Sequence, residues 1–226
     1  MLGAVIFDFD GVITDSEVLH LRAFNRVLEQ FGIEITPRDY YKDYLGFIDF
    51  DCFEQVSQRN NLSLNKQNIE DLIRQKNRIF EEFAKTEGKI IAGVRDFLGM
   101  LKAAQIPMAI CSGALLAEIE LILADARLRD YFEAIVSAEH VKKGKPHPEG
   151  FLKALRRLNE ETKKTISAGE CVVVEDSRWG LQAAVKAGMH TVAVTNSYHA
   201  DQLAGAEKIV ARLDELSLQD LENLCG

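Results

Sequence analysis

Two carboxylates one residue apart, Asp8 and Asp10 in "VIFDFDGVITDS" (5–16), close an apolar run and stand directly before a glycine. Like charges at that spacing raise each other's pKa, so the pair is costly unless a cation or a proton is shared there. Three further polar features follow other apolar runs or precede a helical pattern: Ser112, Lys145 and the pair Glu175/Asp176. Asp8, Asp10 and Asp176 are hard oxygen ligands of the kind Mg²⁺ accepts alongside a phosphate. Ser112, followed by Gly113 and a helix expected from about Ala114, offers its hydroxyl and the next amides to phosphate oxygens. Lys145, held between Gly144 and Pro146, supplies a point charge for the same phosphate or for a nucleophilic carboxylate. With these charges balanced, a carboxylate can attack phosphorus. Taken singly, each group has a plainer reading as turn former, helix cap or solvated charge; the argument lies in their convergence.

Convergence requires a scaffold. Short apolar runs at 4–9, 107–112, 134–138, 171–176 and 190–195 are rich in β-branched and small residues, as strands covered on both faces must be. Helical patterns at 94–104, 114–126, 148–158 and 178–187 lie between them, which predicts a doubly wound α/β fold with a parallel sheet. Ligands of such sheets sit beyond the carboxyl ends of the strands, where all the polar candidates fall. The stretch from 16 to 85 breaks the rhythm: Leu21, Phe24, Val27, Leu28 and Phe31, then Ile69, Leu72, Ile73, Lys76, Ile79, Phe80 and Phe83, recur with helical spacing and no strand. It is far too long for a βα connection and reads as an inserted helical cap, leaving 1–15 and 86–226 as the core. Thr14 to Glu17 fits a capping-box start for its first helix, and Gly88 with Gly93 would loosen the return.

Composition removes several classes of partner. Among 226 residues the net charge is −8, and no Lys/Arg-rich run marks a nucleic-acid or anionic-membrane surface. The first apolar stretch carries Asp8 and Asp10 and has no basic leader, so it reads neither as a signal peptide nor as a span. Cys52, Cys111, Cys171 and Cys225 have no zinc or redox spacing and read as free thiols of a cytoplasmic protein. A monomer whose cap opens and closes is the expected state.

The segments "DFDGVITDS" (8–16), "ICSGA" (110–114), "KKGKPHPEGF" (142–151) and "VVVEDSRWGLQAAVKAGM" (172–189) resemble, in order, the four motifs of the haloacid dehalogenase-like superfamily. Within it the chain resembles the beta-phosphoglucomutase-like group. That resemblance implies Asp8 as nucleophile and Asp10 as general acid and base. It implies Ser112, Gly113 and Lys145 around the phosphoryl group, and Asp8, Asp10, Glu175 and Asp176 at Mg²⁺, with Asp10 lending its carbonyl. It also points to His20 and Lys76 as substrate contacts, against a packing histidine and a solvated lysine. Trp179 reads as packing under the cap. Mutases of the group carry an arginine shortly after a cap glycine, whereas "YLGFIDFDCF" (44–53) follows Gly46 with apolar and acidic residues. The expectation is therefore a phosphatase for a small phosphorylated metabolite, with a sugar-phosphate mutase and a non-catalytic binding module as alternatives.

Overall fold

A computed structural model describes residues 1–44, 47–87 and 89–226, which form two compact units, 1–15 with 89–226 and 16–88. Gly46 and Gly88, to which the sequence assigned parts in the cap loop and the return, lie outside the described residues.

The larger unit is built on six parallel strands, β1 (Ala4–Phe7), β2 (Met108–Cys111), β3 (Ala134–Val136), β4 (Cys171–Glu175), β5 (His190–Val194) and β6 (Lys208–Val210), in the order β3-β2-β1-β4-β5-β6. The chain winds outward from β1 to β3, then returns to the other side of β1 and winds out to β6. β1 therefore sits where the winding reverses, flanked by β2 through Val5↔Met108 and by β4 through Val5↔Val172. Such a reversal opens a crevice at the strands' carboxyl ends. All residues of β1, β2, β3 and β4 are buried, which is why the sequence shows unbroken apolar runs there rather than alternation.

Side-chain alternation on β1 sorts the covering helices. Ala4 and Ile6 share a core with Phe151, Ala154 and Leu158 of α7 (Glu149–Thr162) and with Ala183 and Ala184 of α8 (Arg178–Lys186). Phe7 points the other way and meets Phe97 of α5 (Val94–Ala103) edge-on, with ring centroids 6.0 Å apart. The core unit also carries α6 (Leu116–Asp125) and α9 (Leu218–Cys225). β6 has no counterpart in the sequence reading: three residues following a polar stretch give no periodicity to detect. The first helix after β2 also begins later than expected, at Leu116 rather than near Ala114.

The smaller unit contains α1 (Glu17–Leu28), the single turn α2 (Pro37–Asp39), α3 (Asp49–Arg59) and α4 (Lys66–Glu87), packed on a core that includes Leu21, Phe24, Leu28, Phe53, Val56 and Leu72. The capping box expected at the start of α1 is not formed. Thr14 Oγ1 instead donates to the Lys89 carbonyl at 3.0 Å, and Ser16 makes no side-chain cap bond. The four cysteines are free, three of them buried. No helix among the described residues is long and apolar enough to cross a membrane.

The Phe7–Phe97 contact leads directly into the site, because the residue after Phe7 is Asp8. Phe97 is 2 % exposed, so Phe97→Ala should cost about 3–5 kcal/mol through lost burial and an unfilled cavity. Urea unfolding followed by circular dichroism measures it; a loss below about 1 kcal/mol would mean that the ring does not support the sheet.

Candidate functional site

Four segments of the core unit deliver the candidate residues to one edge of the sheet. Asp8 follows β1 directly, and its amide continues the ladder to the Val174 carbonyl at 2.9 Å. Ser112 follows β2 in the same way, its amide donating to the Val136 carbonyl at 2.9 Å. Glu175 ends β4, and Lys145 arrives on the loop before α7. The structure thus brings Asp8, Lys145 and Glu175 into direct contact: the Lys145 ammonium lies 2.7 Å from Asp8 Oδ1 and 2.5 Å from Glu175 Oε1. The carboxylates of Asp8, Glu175 and Asp176 each place an oxygen within 4.8 Å of the others.

Charge this dense in a buried place perturbs Asp8, Lys145 and the neighbouring Cys111. Burial pushes the Asp8 carboxyl up to about 7, with Lys145 pulling it down and Glu175 and Asp10 adding to the rise. Burial alone would lower Lys145, yet Asp8 and Glu175 outweigh it and hold the ammonium well above the usual lysine range. Cys111, beneath the site, is raised to about 12 by burial, aided by Asp8 and Glu175 and opposed by Lys145. It stays a thiol and is not a rival nucleophile.

Glu175 is the most heavily engaged of the carboxylates. Its Oε2 accepts from the Asp176 amide at 3.0 Å, the Ser177 amide at 2.9 Å and the Ser177 hydroxyl at 2.8 Å, while its Oε1 holds Lys145. These bonds make it the post that fixes Lys145 and the turn after β4. Ser177 and Gly180, which the sequence reading did not single out, complete that post. Ser177 Oγ accepts from the Gly180 amide at 3.1 Å as N-cap of α8, and a methyl group on Gly180 would lie 1.6 Å from Glu175 Oε1. A serine placed three residues before a glycine, just after two acids, is the signal that would have found both.

Asp10 is oriented differently. Its Oδ2 lies 3.3 Å from the Ser112 hydroxyl, while the carboxylates that place oxygens within 4.8 Å of one another are those of Asp8, Glu175 and Asp176. Ser112 Oγ also accepts from the Ala114 amide at 2.9 Å. The amides expected to receive phosphate are thus partly committed: Leu115 N donates to Glu118 Oε2 at 3.1 Å and Leu116 N to Glu139 Oε2 at 2.7 Å. The Ser112 hydroxyl itself is directed to Asp10 Oδ2.

His20 and Lys76 belong to the helical unit, and the partners described for them lie within it. The His20 ring stacks on Phe80 with centroids 4.1 Å apart, and burial together with the Lys76 charge lowers its pKa. Lys76 is not a solvated lysine: it is 1 % exposed, pairs with Asp49 Oδ2 at 3.0 Å and lies 5.2 Å over the rings of Phe24 and Phe80. Trp179, in the core unit, is exposed, with the Arg178 guanidinium 4.6 Å over its ring.

As a donor set, three buried carboxylates with only oxygen ligands suit a hard divalent cation such as Mg²⁺, and one lysine does not neutralise them. Chemically the arrangement offers a buried carboxylate with fixed positive charge against it, and a second carboxylate on a hydroxyl.

A family model described as haloacid dehalogenase-like hydrolase matches residues 5–194. A phosphorylated carbohydrates phosphatase of Thermotoga maritima is 33% identical over 193 residues, covering 84% of this chain and 83% of that one. The beta-phosphoglucomutase of Bacillus subtilis is 30% identical over 220 residues, covering 96% and 92%. Among solved structures, that of CbbY from Rhodobacter sphaeroides in complex with phosphate superposes with a TM-score of 0.87 at 25% identity, covering 98% of this chain and 100% of that one.

Gly180 gives a test in which two effects oppose each other. In an exposed helix interior, Gly→Ala gains about 1 kcal/mol. Here the added methyl would collide with Glu175 Oε1, so Gly180→Ala should destabilise by about 1–3 kcal/mol and displace Lys145. A variant that melts higher than the parent would show that Glu175 does not need this space.

Proposed function

The chain belongs to the haloacid dehalogenase-like hydrolase family, and we propose that it is a cation-dependent phosphatase that hydrolyses a small phosphomonoester through an aspartyl-phosphate. The observation that carries this reading is the Asp8–Lys145–Glu175 contact at the carboxyl edge of the sheet, with Asp10 beside Ser112.

In the first half-reaction an oxygen of Asp8 attacks phosphorus and the P–O bond to the leaving group breaks. Lys145 holds Oδ1, which leaves Oδ2 to attack. Asp10 delivers its proton to the departing oxygen, so no alkoxide is released. In the second, Asp10 takes a proton from the water that attacks the aspartyl-phosphate, inorganic phosphate leaves and Asp8 is restored. Lys145 and the Ser112 hydroxyl bear on the phosphoryl oxygens, and Glu175 keeps Lys145 in place. Mg²⁺, held by Asp8, Asp176 and the Asp10 carbonyl with Glu175 behind them, would neutralise phosphoryl charge that one lysine cannot.

The two relatives named above are called a phosphorylated carbohydrates phosphatase and a beta-phosphoglucomutase, which supports a sugar phosphate as substrate; a phosphoglycolate-like acid is the other small phosphomonoester in the proposal. The missing arginine after Gly46 favours transfer to water over return to a second hydroxyl. Substrate contact by His20 and Lys76 rests on the family resemblance. A monomeric, cytoplasmic enzyme fits the composition.

A screen of phosphate release from sugar phosphates, phosphoglycolate, nucleotides and pyrophosphate, with a coupled assay from β-glucose 1-phosphate to glucose 6-phosphate, tests the reading. Release from a small phosphomonoester without isomer is expected, whereas isomerisation without net release would make the protein a mutase. Asp8→Asn should abolish turnover with a melting temperature near that of the parent, because Lys145 keeps Glu175 as a partner.

Cation binding should depend on pH. Asp8 must be ionised to bind a cation, and its carboxyl is raised to about 7. Mg²⁺ affinity from calorimetric titration should therefore rise about tenfold between pH 6 and pH 8. Without cation the sign reverses: the unfolded carboxyl loses its proton near 3.8 and the folded one near 7, so the Asp8 contribution to stability falls across that window. Mg²⁺ affinity unchanged between the two pH values would remove Asp8 from the cation site.

A further inference from the structure

We propose that Asn196, in the loop after β5, is a positioning residue for Asp10. The inference rests on the reading of Asp10 as general acid and base given above.

Asp10 is carried by a tight turn. The Phe9 carbonyl accepts from the amides of Val12, Ile13 and Thr14 at 3.3, 2.8 and 3.1 Å, and the Gly11 amide donates to the Thr14 carbonyl at 2.8 Å. Gly11 is the pivot, with φ of +74°, a left-handed conformation natural to glycine. A side chain is excluded there by space as well, since a methyl group would lie 1.9 Å from Asp176 Oδ2 and 2.8 Å from Ser197 Oγ. Glycine has the widest backbone freedom of any residue, so the direction of Asp10 is set by what holds the two peptide groups of Gly11.

One of them is held within the turn, through the amide. The other is held from both sides: within the turn the Val12 amide donates to the Phe9 carbonyl at 3.3 Å, and from outside Asn196 Nδ2 donates to the Gly11 carbonyl at 2.7 Å across 185 residues of sequence. Asn196 is itself exposed and adds nothing to the apolar core. A long-range bond from an exposed side chain to the residue beside Asp10 is hard to explain by stability alone. Asp10 Oδ2 lies 3.3 Å from the Ser112 hydroxyl, and the backbone held at Gly11 sets where that carboxylate starts. A misplacement of an ångström can cost two orders of magnitude in rate.

The test exploits what a general acid does. An alkyl phosphate expels a strongly basic alkoxide and needs the proton from Asp10; p-nitrophenyl phosphate expels a stable anion and does not. The measured quantity is kcat/KM, which reports formation of the phosphoenzyme. Asn196→Ala, and Asn196→Leu as a variant of similar bulk without the donor, should lower kcat/KM for glycerol phosphate about tenfold. For p-nitrophenyl phosphate they should lower it less than about twofold. Equal losses on both substrates, or no loss on either, would overturn the proposal, since a merely structural side chain has no reason to distinguish leaving groups. Asp10→Asn is run beside them. A selective loss in Asp10→Asn without one in the Asn196 variants overturns the role of Asn196, and no selective loss in Asp10→Asn overturns the reading on which it depends.

Discussion

One ammonium between two carboxylates organises the carboxyl edge of the sheet. Lys145 reaches Asp8 at 2.7 Å and Glu175 at 2.5 Å, and the Glu175 side chain has no exposure to water. Burying two carboxylates side by side is prohibitive without a cation, and burying a lysine is nearly as costly without an anion. Lys145 is therefore the condition for both carboxylates, and it keeps a partner when either one is neutral. The loop that delivers Lys145 is in turn fastened by Glu149, whose carboxylate accepts from the amides of Lys142 and Lys143 at 3.0 and 3.2 Å.

The triplet balances two negative charges against one positive, and Asp176 stands close by. The remaining deficit of positive charge is a binding energy held in reserve. A cation relieves it, and so does a proton on Asp8, which explains why burial leaves that carboxyl so much less acidic than an ordinary aspartate. The ionisation of the carboxylate proposed as nucleophile is thus tied to what binds beside it.

Much of this was legible in the sequence because it is written in periodicity and order. Unbroken apolar runs gave five of the six strands, and a polar residue at the end of the right run gave Asp8, Ser112 and Glu175. The parts that stayed hidden depend on partners chosen in three dimensions. Nothing in "KIV" distinguishes β6 from a loop until Val192 is seen pairing with Lys208. Thr14 looked like half of a capping box, but its hydroxyl found the Lys89 carbonyl 75 residues away. Lys76 fell on an apolar helical stripe yet is a charge, and only Asp49 and two aromatic rings make its burial tolerable. Gly180 looked like any helix glycine until Glu175 was found in the space its side chain would fill.

The central place of β1 also shapes how the molecule comes into being. The strand made first is the one whose neighbours are made late: β2 begins at Met108, and β4 does not begin until Cys171. Asp8 meets Lys145 across 137 residues of sequence, so a growing chain carries its reactive carboxylate for most of its synthesis with neither the ammonium nor the strand that will enclose it. Pairings of such long range form slowly, because chain entropy is spent before the contacts repay it. A ribosome-bound fragment can hold a compact helical insertion well before it holds a catalytic site, which is complete only once β4 has paired with the first strand.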